Sequence, residues 1–236
     1  STALPSRNRR STFDHDGGML WVLWITYGSF YFCRTNISAA IPGLGQEFDL
    51  SKSEIGLILG ALKIAYAFGQ LVNGQLAEKM SPRRLLAIGM LASAALNVVF
   101  GFGTSLYFFV FVWACNGYSQ SMGWTPSMRV TANWFPSSKR GRAIGIIGTG
   151  YQVSAAATFI IAGFSADHFG WRGAMFLPAV LFFLAAIHMF FFLHEQPRAK
   201  DSEKHSLEKN VPENAEVETS PAQSTFMANI RVTLSN

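Results

Sequence analysis

Thr26-Tyr27-Gly28-Ser29-Phe30-Tyr31-Phe32-Cys33-Arg34-Thr35-Asn36 lies within an apolar run from about residue 18 to residue 44. A run of that length can cross a bilayer as a helix. Arg34 is the residue to explain, because an arginine at mid-membrane costs about 2.5–3.5 kcal/mol on insertion scales. Tyr27, Tyr31, Arg34 and Ser38 follow one another at i, i+4, i+7 and i+11, so a continuous helix places them on one face. Two readings are open. Arg34 snorkels to an interface or pairs with a buried acid, or it faces a cavity and binds an anion.

The rest of the chain has the same character. Half of its 236 residues are hydrophobic, 21 are Phe, and 14% are charged, against about 25% charged in a soluble domain. The sequence predicts an all-α membrane protein. The net charge of +5 does not imply nucleic acid, since the basic residues sit in short loops without a basic face of stacking aromatics. Cys33 and Cys115 lie in apolar runs without metal-ligand spacing and read as free thiols. No nucleophile–base pair or metal-ligand cluster stands out, so neither an enzyme nor a cofactor is expected. Arg7, Arg9 and Arg10 resemble the basic start of a signal peptide, but the apolar run after them is too long for one.

Six apolar runs are expected to span the bilayer, near 18–44, 53–77, 83–103, 105–133, 141–165 and 171–193. They form a transmembrane bundle over 18–194, after a cytoplasmic tail at 1–17. Pro42-Gly43-Leu44-Gly45 predicts the first turn, Ser51 and Glu54 a capping box, Ser81-Pro82 a break and Gly101–Ser105 a tight turn. Pro126 predicts a kink or an end in the fourth run, and Trp171 an interface anchor. Basic residues concentrate in alternate loops (Lys79, Arg83, Arg84; then Arg129, Lys139, Arg140, Arg142). The positive-inside rule then places both ends in the cytoplasm. Residues 195–225 are Ser, Glu, Lys, Pro and Asn without apolar period. They read as a disordered cytoplasmic linker, serving as a tether or an interaction site. The chain begins without Met and ends, after that linker, at 226–236, which reads as the start of a missing second half.

Gly74-Gln75-Leu76-Ala77-Glu78-Lys79-Met80-Ser81-Pro82-Arg83-Arg84 resembles the G-x-L-a-D-r-x-G-r-R signature between the second and third helices of the major facilitator superfamily, with Glu78 and Ser81 departing from it. In this cytoplasmic gating motif, Gly74 permits close helix approach, and the acid holds basic residues or a helix N-terminus. Arg83 and Arg84 anchor the inner side. A finer resemblance is to the organophosphate:phosphate antiporters, the family of the bacterial glycerol-3-phosphate and hexose-phosphate transporters. It rests on Tyr31-Phe32-Cys33-Arg34-Thr35-Asn36 against Y-x-x-R-x-N, on Ile64–Gly69, and on Asn116–Pro126 against N/C-G-x-x-Q-G-x-G-W-P-P. Trp134-Phe135 and Arg140-Gly141 follow in register.

The resemblance implies a twelve-helix fold in two six-helix halves, of which this chain is the N-terminal one. The anionic substrate (an organic phosphate, exchanged for inorganic phosphate) would sit between the halves in a bacterial inner membrane. Arg34 matches the family's first-helix phosphate ligand, a role its planar fork of donors suits. Thr35, Gln70 and Tyr151 stand where the glycerol-3-phosphate transporter has a second basic residue, a lysine and a histidine. That keeps organic carboxylates open as substrates and a transporter-like sensor of sugar phosphates open as a role.

Lys63 lies at a depth similar to Arg34. It shares a helix face with Tyr66, Gln70 and Asn73, at i, i+3, i+7 and i+10. It either faces the cavity with Arg34 or snorkels outward. Asn116, Gln120 and Gln152 line the cavity or make interhelical hydrogen bonds, and Trp124 packs or lines the pore. The spans carry no acid away from their ends, so a buried cation here needs a counter-ion from the substrate or from the missing half.

Overall fold

A computed structural model describes residues 10–197. Residues 1–9 of the expected tail, all but the first three residues of the linker, and 226–236 lie outside the described residues. Eight helices and no strand occur among the described residues: α1 (Arg10–Ser29), α2 (Phe32–Thr35), α3 (Ile37–Glu47), α4 (Lys52–Lys79), α5 (Pro82–Gly101), α6 (Leu106–Gln120), α7 (Trp124–Trp134) and α8 (Ser137–Phe192). α8 is broken at Gly170, whose φ of 69° takes the left-handed half of the map that glycine alone enters freely. Among the described residues three helices (α4, α5 and α8) are long and apolar enough to cross a membrane.

Local sequence explains most of the boundaries. Ser51 Oγ accepts from the Glu54 amide, and the Glu54 carboxylate accepts from the Ser51 amide at 2.8 Å, so the expected capping box starts α4. Ser81 caps α5 by accepting from the Arg84 amide, and Pro82 occupies the first helical position. The turn between α5 and α6 falls at Phe102–Ser105, as expected.

Two expectations are corrected, and the break expected at Pro126 is located. The chain does not turn at Pro42–Gly45: α3 runs through it to Glu47, and the turn comes at Phe48–Ser51, with Asp49 at a φ of 48°. Pro42 gives up one ladder bond, but Gly43 lets Trp171 pack directly on the helix, where a Cβ would stand 3.0 Å from the Trp171 Cβ. Trp171 is accordingly buried, 5% exposed, and is not an interface anchor. The fourth run breaks at Ser121–Gly123, ahead of Pro126, which lies in the first turn of α7. A proline ring clashes with the carbonyl four residues earlier, here Met122, so the ladder opens on that side.

α4 packs along α6, α1 and α3 along α8, and α5 between α6 and α8. Close approach needs Gly117, where a Cβ would lie 2.9 Å from Leu62 Cα, and Gly28, where it would lie 2.9 Å from the Gly150 carbonyl. Besides a small cluster of Ala77, Leu85 and Met122, packing separates into two large apolar clusters. One holds Leu23, Phe30, Met90, Ile147 and Phe182. The other holds Leu44, Ile58, Phe100, Phe109, Trp113 and Trp171. A layer of buried amides and hydroxyls lies between them, with Asn36 at the α2–α3 junction, Ser93 and Asn97 on α5, and Asn116 and Gln120 on α6. Outward faces carry Ile64 at 75% exposure, Ile160 at 74% and Phe191 at 68%. A surface of that kind is suited to hydrocarbon rather than water.

At the end of the bundle carrying the α3 terminus, Glu47 ties three elements. Its carboxylate accepts from both terminal nitrogens of Arg172 at 2.8 Å and from the Trp171 indole at 2.7 Å. Arg172 Nε also donates to the Gly101 carbonyl at the end of α5.

Candidate anion site at the broken first helix

The first run is a helix broken twice, at Phe30–Tyr31 and at Asn36, with Cys33 off helical geometry (φ −104°, ψ 17°). A carbonyl turned out of a ladder needs a donor. The Cys33 carbonyl receives Asn116 Nδ2 at 2.9 Å and Asn97 Nδ2 at 3.4 Å. Asn36 Nδ2 in turn donates to Asn97 Oδ1 at 2.9 Å and to the Ala174 carbonyl at 3.1 Å. Side chains of α5 and α6 therefore fix the backbone that presents Arg34.

The Arg34 head group is held from the same layer. Its Nε donates to Gln120 Oε1 at 3.1 Å and Nη2 to the Gln120 carbonyl at 3.4 Å. Gln120 is oriented by its own donation to Ser93 Oγ at 2.7 Å, and Ser93 donates to Asn116 Oδ1 at 2.6 Å. The guanidinium carbon stands 4.8 Å from the ring centres of both Tyr31 and Tyr66. Contacts of this kind contribute about 0.5–2 kcal/mol each as they are desolvated. A guanidinium has five N–H donors. Both protons on Nη1 and one on Nη2 have no acceptor among the described residues. No Asp or Glu occurs in α5, α6 or α7, and the ion pair formed between described residues is Glu47–Arg172. The site is a fixed, half-buried cation with free donors.

Aromatic rings line it. Tyr31 and Tyr151 stack at 5.1 Å, Tyr27 packs against Tyr151 at 6.3 Å, and Trp124 packs against Tyr27 at 5.0 Å. Gln70 donates to the Tyr66 hydroxyl at 2.8 Å and accepts from Thr125 at 3.5 Å. The structure thus brings together Arg34, Tyr27, Tyr31, Tyr66, Gln70, Gln120 and Tyr151, drawn from five helices. Asn116 is fully buried behind this wall and positions it from within. Gln152 is exposed and makes no hydrogen bond among the described residues. Lys63 is exposed on α4, one turn from Tyr66, also without a partner among them. Ser93 and Asn97 were not singled out by the sequence. A lone Ser or Asn in an apolar run carries no periodicity, and its partners are remote in the chain. Trp124, left open by the sequence, belongs to the site wall.

The gating-motif residues sit differently from expectation. Gly74 has open space at its Cβ position, because α4 turns Gly69 and Asn73, not Gly74, toward α6. Glu78 is exposed, and it is its backbone carbonyl that accepts from Arg129, which also donates to the Ala77 and Met80 carbonyls at the end of α4. A cation there is favourable against the helix dipole. The acid at the start of α5 is Glu195 instead: it accepts from Ser81 Oγ and from the Arg83 amide. Arg83 donates to the Phe190 carbonyl and lies over the Phe190 ring, whereas Arg84 is exposed. Asn133 and Trp134 donate to the carbonyls of Glu195 and His194, so the end of α8 is tied to α7 as well. Among the described residues no group of His, Cys, Asp and Glu is placed to hold a metal ion.

Residues 23–233 match the family model described as Major Facilitator Superfamily. The chain is 27% identical over 228 residues to a probable hexose phosphate transport protein of Chlamydia trachomatis, covering 92% of this chain and 50% of that protein. It is 30% identical over 181 residues to the membrane sensor protein UhpC of Escherichia coli, covering 77% of this chain and 41% of that one. The chain therefore spans about half the length of the curated relatives it matches. Among solved structures it superposes on a bacterial homolog to the human lysosomal transporter Spinster in an inward-facing, unoccupied conformation. The TM-score is 0.70 and the identity 15%, over 96% of this chain and 50% of that one.

Proposed function

The chain belongs to the major facilitator superfamily, and on that footing we propose that it forms the N-terminal six-helix half of a secondary transporter. The intact protein exchanges an organic phosphate ester for inorganic phosphate across a bacterial inner membrane. Superfamily members are integral membrane transporters and not enzymes. The observation that carries the substrate class is Arg34. Its guanidinium is fixed by Gln120 and two tyrosine rings and, among the described residues, keeps three donors free and has no carboxylate beside it. A phosphoryl group offers anionic oxygens that the planar fork of guanidinium donors can bind in pairs. The similarity to a hexose phosphate transport protein supports the same reading.

Six spans near 18–44, 53–77, 83–103, 105–133, 141–165 and 171–193 place both ends of the bundle in the cytoplasm and Arg34 at mid-depth. A second six-helix half closes the cavity over Tyr31, Tyr66 and Tyr151, and the two halves rock about the bound anion. Exchange follows when the inward- and outward-facing states differ in affinity for the anion. Counterflow of labelled phosphate in proteoliposomes holding the protein from its full reading frame tests this. Unlabelled sugar phosphate inside should drive uptake, and Arg34→Lys should abolish most of it. No phosphate counterflow in the wild type would refute the proposal.

A second reading is favoured by the similarity to a membrane sensor protein. In that case the same anion site reports on sugar phosphate without bulk transport. Deletion of the gene separates the two: a transporter's loss removes uptake itself, a sensor's only the induction of uptake by another protein.

A further inference from the structure

Lys63 is a second cation that the Arg34 site does not account for. It lies eleven residues inside the start of α4, or about 16 Å along the helix axis. A lysine stem reaches only about 6 Å, so the ammonium cannot snorkel to that end. The opposite end of α4 is farther still. No acid lies on α4 between Glu54 and Glu78, and Lys63 makes no ion pair or hydrogen bond among the described residues.

Its direction is set by its neighbours. Tyr66, one turn on, lies against Arg34, and Gln70, in line with Lys63 two turns on, bonds the Tyr66 hydroxyl and Thr125. Ile64 and Phe68, at 75% and 62% exposure, point away over a separate apolar face. Lys63 thus extends the anion-binding wall by one turn, roughly 5 Å beyond the residue that touches Arg34.

We infer that Lys63 reads a second acidic group on the substrate, so that the preferred organic phosphate also carries a carboxylate a few bonds from its phosphoryl group. The inference rests on the phosphate reading of Arg34. One anion neutralises Arg34, and a second neutralises Lys63, which has no acid beside it among the described residues. Arg34 and Lys63 then act as two fixed points, and the ligand is measured by the spacing of its charges.

The test compares 3-phosphoglycerate with glycerol-3-phosphate, which differ by a carboxylate in place of a hydroxymethyl group. Each competes with labelled phosphate in proteoliposomes of the full protein. The wild type should prefer 3-phosphoglycerate. Lys63→Gln should weaken 3-phosphoglycerate by about tenfold more than glycerol-3-phosphate, the size of one lost charged hydrogen bond. Lys63→Arg should restore the preference. An unchanged ratio in Lys63→Gln, or equal weakening of both ligands, overturns the inference while leaving the phosphate reading standing. A wild type that shows no phosphate counterflow overturns both.

Discussion

Gln120→Glu is the sharpest probe of Arg34. The replacement is nearly isosteric. A carboxylate at this position still accepts from Arg34 Nε, which stands 3.1 Å from Oε1, and accepts from Ser93 Oγ, 2.7 Å from Nε2, once that hydroxyl turns from Asn116 Oδ1, which keeps Asn97 Nδ2 as a donor at 3.5 Å. The fold should therefore survive. What changes is charge, because an anion bound at the open edge of the guanidinium would lie about 6 Å from the new carboxylate. Two unit charges at about 6 Å in an effective dielectric of about 20 repel by about 3 kcal/mol, or about a hundredfold in affinity. The half-saturating phosphate concentration for counterflow should rise by at least about that factor in Gln120→Glu. Gln120→Leu, which removes the hydrogen bond without adding charge, should raise it by about tenfold or less. If Gln120→Glu exchanges phosphate with wild-type affinity, the anion does not bind Arg34, and the reasoning from free donors fails.

Three further outcomes follow from packing and charge. Ser93→Ala removes the acceptor of Gln120 and a donor to Asn116; it should cost about 1–3 kcal/mol, read as a lower thermal midpoint in detergent. Gly117→Ala pushes a Cβ against the Leu62 backbone, 2.9 Å from its Cα, and should destabilise by about 1–3 kcal/mol, separating α4 from α6 in a crosslinking assay. The Glu47 carboxyl is held down at about 2 by the Arg172 guanidinium and the Trp171 indole N–H. A depressed folded value means that the stabilisation is complete above the ordinary carboxylate value of about 4.3 and is lost as pH falls toward about 2. Thermal midpoints between pH 5 and pH 2.5 should fall in the wild type, and fall less in Glu47→Gln.

Length and hydropathy revealed the helical class, and the turn chemistry of Ser51, Ser81 and Pro82 located boundaries correctly because those signals are local. Arg34, Tyr31 and Tyr66 were legible as a site because a charge and aromatic residues at helical spacing stand out in an apolar run. The breaks at Phe30–Tyr31 and Asn36 were not. Only the Pro126 break has a sequence cause nearby, and the others are held open by amides more than sixty residues away, such as Asn97 and Asn116. Trp171 was misjudged for a related reason. A tryptophan near the end of a span reads as an anchor until Gly43 and Glu47 of a distant helix are seen to enclose it. Glu195 and Glu78 show the limit of a motif, because Glu195, remote in sequence, does the capping that the motif assigns to Glu78.

The amide layer between the two apolar clusters has a mechanical consequence. Greasy surfaces slide past one another at little cost, but Asn36, Ser93, Asn97, Asn116 and Gln120 are linked by hydrogen bonds across the broken first helix, α5 and α6. Displacing α5 by a single turn, about 5.4 Å, would strand several buried polar atoms at about 1–3 kcal/mol each. The layer acts as a set of dowels that resists shear between α5, α6 and the broken first helix, and it pins the break that carries Arg34 through the Cys33 carbonyl.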